Sequence, residues 1–313
     1  LGAGTFYVVA KPSTLSILQK AATELGISFE AATAAPPGAM AKLKPPRIGL
    51  FDRYGGIMPS GWTRKILEEF EFPGFDATHS SLVFPPDLDA GNLRAKYDVL
   101  VFNGGGLPGG GGRGGGRGGA QAGRANFTPE PIPEEFAKRQ GQVSEQTVAQ
   151  IKQFLQDGGT VIAIGSMTTA AEQEFGLPVT NHLVENGSSL PREKFYAPGS
   201  VLHLAIDDAS PLAHGVGKEL DVFFHNDPVF DLGADAAAKG VRRVGWFASA
   251  APLKSGWAWG QQYLDKGVEI ISTRVGQGHV FLFAPEVLFR SQPHGAFKLF
   301  FNGLYLSVAE GLE

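Results

Sequence analysis

Residues 160–165, TVIAIG, contain an unbroken apolar run from Val161 to Ile164. A strand with no polar face must be covered on both sides, as happens in a parallel sheet flanked by helices. RIGLFD (47–52) and YDVLVFN (97–103) are built the same way, and SSLVF (80–84) reads as a shorter strand. Helix-patterned segments lie between them. SGWTRKILEEFEF (60–72) has Ser60 as its expected N-cap. SEQTVAQIKQFLQDGG (144–159) has Ser144 as cap, Val148, Ile151 and Leu155 on one face, and glycines at its end. Apolar strands alternating with such helices predict an α/β fold with a mostly parallel, doubly wound sheet.

The pattern changes towards both ends. Beyond residue 198 the reading is β-rich: SVLHLAI, DVFFHN and VRRVGWFA, then GVEIISTRVGQGHVFLFAPE as two strands joined by a GQG hairpin. HGAFKLFFNGLYLSVAEG (294–311) is a closing helix with Phe297, Phe300, Phe301 and Leu304 on its buried side. Residues 1–35 read as a small strand–helix unit. GTFYVVA (4–10) is its strand, and STLSILQKAATELG (13–26) is its helix, with Leu15, Leu18, Ala22 and Leu25 on one face. ISFEAAT (27–33) is a second candidate strand. Too small for a core of its own, this unit is expected to pack on the remainder. The proline- and alanine-rich 36–46 form a linker, and 47–313 the main domain.

At 313 residues and 43 % hydrophobic content, the chain can bury a substantial core. A net charge of −4 gives no reason to expect a nucleic acid or an anionic membrane as partner. No apolar run approaches the ~20 residues of a membrane span. The absence of cysteine excludes disulfides, thiolate metal sites and cysteine nucleophiles. The chain begins at Leu1 without a signal-peptide pattern and is expected to be a processed form or a piece of something longer.

Between the strand at 97–103 and the helix at 144–159 lies GGGLPGGGGRGGGRGG (104–119), with 12 glycines in 16 residues, the start of an insertion running to 125. Backbone entropy makes such a run expensive to order. It reads as a flexible surface loop, or as an extended polyglycine strand packed on a neighbour, with Gly109, Gly110, Arg113 and Arg117 as assembly contacts. An Arg-Gly-Gly segment for nucleic acid is the weaker reading, because the arginines are few and the chain is acidic.

Three stretches in order, VFNGGG, TVIAIGSM and GQGHVFLFAPE, resemble the class I glutamine amidotransferase-like fold. The resemblance implies a flavodoxin-like sheet and a triad of nucleophile, base and orienting carboxylate. Matched residue by residue, Gly104 to Gly106 fall at the oxyanion turn, Ser166 at the nucleophilic cysteine, and Pro285 and Glu286 at the closing proline and glutamate. Ala284 falls at the histidine, so the base is missing and the triad is degenerate. A serine without a base is a poor nucleophile at neutral pH.

PPRIGLFDRYGGIMPSGWTRKILEEFEFP, LDAGNLRAKYDVLVF, PREKFYAPGSVL, SGWAWGQQYLD and FRSQPHGAFKLFFNGLYL resemble the C-terminal region of secreted bacterial zinc carboxypeptidase-like proteins. That resemblance spans nearly the whole chain. It implies an upstream peptidase domain as partner and a secreted, periplasmic or extracellular location. Such peptidases bind zinc through His-x-x-Glu and a distant histidine. His182 and Glu185 in HLVE fit the spacing, but they lie in the amidotransferase-like part, so no metal and no cofactor are expected.

In open α/β sheets, ligands gather at the carboxyl ends of the strands. Asp52, Arg53 and Tyr54 follow the first strand of the sheet and are expected to form a polar crevice with Gly104, Gly105, Ser166 and Glu286. Trp257 and Trp259 in SGWAWG share one face of a strand and read as core, with a sugar or partner platform as the alternative if exposed. His225, Asn226 and Asp227 read as a turn. The expected function is a non-catalytic accessory, binding or scaffolding domain of a secreted zinc carboxypeptidase-like protein. Self-assembly through the glycine-rich segment and residual hydrolysis through Ser166 are the alternatives.

Overall fold

The computed structural model describes residues 2, 4–38, 40–76, 80–108 and 132–311. Its strands are β1 (Ile48–Phe51), β2 (Leu82–Val83), β3 (Val99–Asn103), β4 (Thr160–Ile164), β5 (Val179–Asn181), β6 (Val184–Glu185) and β7 (Ser188–Ser189). There follow β8 (Pro198–Ile206), β9 (Glu219–His225), β10 (Phe230–Leu232), β11 (Arg242–Trp246), β12 (Leu253–Ser255), β13 (Val268–Val275) and β14 (Gly278–Phe283). The helices are α1 (Thr14–Leu25), α2 (Met58–Glu69), α3 (Pro85–Asp89), α4 (Leu93–Lys96), α5 (Glu134–Ala137), α6 (Glu145–Gln156), α7 (Met167–Phe175) and α8 (His294–Leu306).

One sheet runs β12-β8-β11-β13-β14-β4-β3-β1-β2. From β2 to β14 every pairing is parallel, so β2-β1-β3-β4-β14 has the 2-1-3-4-5 order of a flavodoxin-like fold. Beyond β14 the sheet continues antiparallel through the hairpin to β13, whose turn is Gly276-Gln277. Strands β1, β3 and β4 are buried at every position. Their side chains alternate between two cores. Ile162 and Ile164 of β4 join Ile66 and Leu67 of α2 and Phe300 and Leu304 of α8, while Val161 and Ala163 join Ile151 and Leu155 of α6 and Ala170 of α7. This two-sided packing is the physical meaning of the apolar runs. Strand β8 instead alternates between buried and half-buried positions, as suits an antiparallel sheet with one wetter face.

Local chemistry sets the helix ends. Ser144 Oγ accepts from the Thr147 amide while Thr147 Oγ1 accepts from the Ser144 amide, a reciprocal cap that starts α6. Helix α2 departs from expectation: it begins at Met58, two residues before Ser60, with Pro59 in its first turn. Proline supplies a preset helical φ there, and Ser60 is buried inside the helix instead of capping it. Phe301 of α8 is half-buried, its ring meeting those of Phe70 and Phe72 at 5.0 and 5.1 Å.

The N-terminal unit is also corrected. Residues 4–10 and 27–33 form no strand, because a strand needs a ladder partner and none pairs with them. Helix α1 forms as the sequence predicts and ends at Gly26 in the left-handed conformation, but none of its residues is buried. Phe6 meets Tyr305 edge-on at 6.2 Å, and Lys42 bridges Glu310.

An ion cluster ties the strand beginnings together. Asp98, fully buried ahead of β3, accepts from the Arg47 amide and Nε through Oδ2 and from Arg47 Nη2 and Arg94 Nη1 through Oδ1. Its carbonyl accepts from Thr160 at the head of β4. Burial opposes its ionisation, but the two guanidiniums and the amide win, holding the carboxyl well below the ordinary range. Replacing Asp98→Ala is expected to destabilise the fold by about 3 kcal/mol, the low end for a broken buried pair since Arg47 stays partly in water. Because folding lowers this pKa, the contribution is complete above the ordinary aspartate value near ~4. It is lost as pH falls further, and urea unfolding between pH 2 and pH 6 would show it as a parent–variant gap that closes in acid.

Candidate functional site

The carboxyl ends of β4 and β14 meet at a sharp turn. Gly165, directly after β4, takes φ +61° and donates its amide to the Phe283 carbonyl at 2.9 Å. Its own carbonyl accepts from Thr168 Oγ1 at 2.7 Å. Ser166 follows at φ −60°, ψ −19°, an ordinary helical backbone at the start of α7, and its hydroxyl caps no amide. A nucleophile elbow requires its reactive residue on the strained tip of the turn. Here the left-handed position belongs to Gly165, one residue before the serine matched to the nucleophile. A Cβ on Gly165 would stand 2.6 Å from Glu286 Oε1, so the carboxyl of Glu286 fills the space facing the elbow. Ala284 is fully buried and its amide donates to the Glu269 carbonyl.

Behind Glu286 lie two more buried acids. Asp227 Oδ2 accepts from the His225 amide at 2.9 Å, and the Glu286 amide also supports its ionised form. Burial and then the charge of Glu286 nevertheless raise its pKa well above the usual range. Glu269, in the middle of the buried part of β13, has both carboxyl oxygens without a hydrogen-bond partner, and Glu286 Oε2 has none. Burial, followed by the charge of Asp227, raises Glu269 well above normal. Burial pushes Glu286 up to about 7. This acid cluster was not legible as a site: Asp227 reads as part of a turn. The available signal was Glu269 itself, one charge inside the apolar run VEII. Among the described residues no group of three or more His, Cys, Asp or Glu is placed to hold a metal ion.

The expected crevice is divided. Arg53, Tyr54, Gly104 and Gly105 line a groove of about 650 Å³ with Phe51, Ile57 and the segment 140–143. It opens beyond β1 and β3, the point where strand order reverses. Gly104 and Gly105 press on Ile57, which a Cβ at either would approach to 2.8 Å. Ser166 and Glu286 are not among its lining residues; they belong to the next strand pair, β4 and β14. Asp52 is half-buried beside the groove, its carboxylate accepting from the Arg53 amide at 2.8 Å, and burial raises its pKa. His182 and Glu185 are engaged elsewhere, His182 Nδ1 with Asp231 at 2.7 Å and Glu185 with Lys194. Gly109, Gly110, Arg113 and Arg117 lie outside the described residues.

No protein-family model and no curated protein matches the sequence. Solved structures similar to the chain include a GMP synthase subunit from Thermoplasma acidophilum, at 13 % identity and TM-score 0.45, covering 87 % of this chain and 96 % of that one. PurLQS from Thermotoga maritima is similar at 14 % identity and TM-score 0.48, covering 83 % and 98 %. The β-galactosidase from Bacillus circulans is similar at 8 % identity and TM-score 0.46, covering 85 % of this chain and 32 % of its own. At these values they bear no weight on chemistry.

Two outcomes follow from the elbow and its acids. Gly165→Ala is expected to destabilise by about 2–3 kcal/mol, through positive φ and the Glu286 contact together. Adding Glu286→Ala should return part of that loss, which a double-mutant cycle in urea measures. For pH the sign is opposite to that of Asp98. Between the ordinary glutamate value of ~4.3 and about 7 the unfolded chain releases a proton that native Glu286 keeps, so stability falls as pH rises. Glu286→Gln should match the parent near pH 4 and gain on it steadily up to pH 7.5.

Proposed function

We propose that this chain is a non-catalytic binding and scaffolding domain of amidotransferase-like fold, an accessory region of a secreted zinc carboxypeptidase-like protein. The observation that carries the reading is the elbow. The turn tip is a glycine faced by a carboxyl group, and the position matched to the base is a buried alanine. Acyl transfer needs a nucleophile and a base within hydrogen-bond reach, and neither role has a side chain at its matched place. What the strand ends offer instead is the groove beyond β1 and β3. Its Arg53 and Tyr54 suit a polar ligand, and the glycine turn lets a ligand approach the backbone. In this reading the peptidase domain is the covalently attached partner and the protein works outside the cell or in the periplasm.

The test combines a fluorophosphonate active-serine probe with an assay for ammonia released from glutamine. Neither labelling nor ammonia above the buffer blank is expected. Labelling that disappears in Ser166→Ala would replace this reading with hydrolysis through Ser166.

A second reading, self-association outside the cell, draws on the N-terminal segment. Phe6, Val9, Leu15, Ile17 and Leu25 are each at least 60 % exposed, an apolar surface larger than scattered residues provide. Light scattering on the parent and on a variant with Leu15, Ile17 and Leu25 changed to serine decides it. Self-association requires a mass above the monomer in the parent only.

A further inference from the structure

The antiparallel half of the sheet carries a feature with no part in the elbow or the groove. Trp257 and Trp259 are 53 and 55 % exposed, against their reading as core. Ala258 between them is half-buried and packs on the hydrophobic core. An inward residue between two outward ones sets both indoles on one face of an extended segment, with Cα atoms about 6–7 Å apart.

The two rings are held in place. The Trp257 amide donates to Ser200 Oγ at 2.9 Å, and Ser200 Oγ donates to the Trp257 carbonyl at 2.5 Å. Trp259 exchanges backbone hydrogen bonds with Tyr196 at 2.8 and 3.0 Å, and its indole Nε1 donates to the Glu193 carbonyl at 2.7 Å. Tyr196 meets Trp257 edge-on at 6.0 Å, and the Arg192 guanidinium lies 3.8 Å over the Tyr196 ring. Gly256 and Gly260 bracket the segment at φ +93° and +73°. With its N–H satisfied by the protein, the Trp259 ring has only its apolar face left to offer.

We propose that Trp257 and Trp259 form a binding ledge for an uncharged β-1,4-linked polysaccharide, whose pyranose rings stack on the indoles. A pyranose with equatorial substituents presents a flat face of C–H groups, which suits the electron-rich face of a fixed aromatic ring. Size argues against a protein partner. About half of two tryptophan surfaces is ~250 Å², well below the ~800 Å² per partner of a stable interface. Charge argues against an ionic ligand, because the rim is mixed: exposed Arg192 and Glu193 stand beside Lys194, which is paired with Glu185. Both polar ends can donate to or accept from sugar hydroxyls. Rings already immobilised lose little entropy on binding.

The experiment is a fluorescence titration of the full chain with cellohexaose and with the hexamer of β-1,4-linked N-acetylglucosamine. The chain has four tryptophans, and Trp246 is half-buried with the Arg243 guanidinium 3.8 Å over its ring. A saturable change is expected with at least one sugar at submillimolar concentration. Trp257→Ala and Trp259→Ala should each weaken it about tenfold or more, while Trp246→Phe leaves it unchanged. Both replaced side chains face solvent, and circular dichroism melts check that each variant remains folded. No response to either sugar at millimolar concentration overturns the proposal, as does binding that survives the double variant. A dimer in sedimentation that both substitutions dissolve overturns it too, and assigns the ledge to contact between copies.

Discussion

Strand β4 is covered on both faces, and the rest of the structure depends on how that cover is supplied. Val161 and Ala163 look towards α6 and α7, Ile162 and Ile164 towards α2 and α8. Its backbone has to be bonded on both edges as well, since no water reaches the centre of the sheet. One edge is taken by β3, which lies just before it in the sheet's chain order. The other is taken by β14, which arrives only after the whole antiparallel region has been built. The late return of β14 brings Glu286 against the turn that follows β4. The elbow and its facing acid are therefore products of a parallel pairing between distant segments.

The seam between the parallel and antiparallel halves is also where charge is least well accommodated. Asp98 and Glu269 are both fully buried carboxyls, yet they behave in opposite ways. Asp98 is met by two guanidiniums and an amide and stays ionised. Glu269 has no partner for either oxygen, and Asp227 and Glu286 add like charge to its burial. The same residue class thus clamps one end of the sheet and holds protons at the other. Desolvation is common to both; the presence of compensating donors differs.

Large apolar groups outside the two cores divide by how firmly they are held. Trp257 and Trp259 are fixed by backbone bonds to Ser200, Tyr196 and Glu193 and keep their faces to solvent. Helix α1 is a regular helix whose apolar residues pack on little. A rigid exposed ring is suited to stacking, whereas an exposed aliphatic stripe gains only by being covered. The groove beyond β1 and β3 differs from both, its wall of glycine backbone making room beside Arg53 and Tyr54.

Much of the architecture was legible because it rests on periodicity. The uninterrupted apolar runs at 48–51, 99–103 and 160–164 and the capped helix at 145–156 carry local patterns that tertiary packing did not override. The glycine turn at 104–106 and the hairpin at 276–277 follow from backbone geometry that few other residues tolerate. Where patterns are ambiguous, tertiary structure decided. TFYVV has strand-like residues but no edge to pair with, and Trp257 and Trp259 have core-like side chains but face away from the core. The candidate site was decided at that level too. Residues 165, 227, 269 and 286 are distant in sequence, and only the return of β14 beside β4 brings the elbow and its acids together. The sequence by itself determined which segments had to be buried on two faces. Which carboxyl stands before which turn depended on sheet order and register, because hydrophobic burial is not directional and does not specify partners.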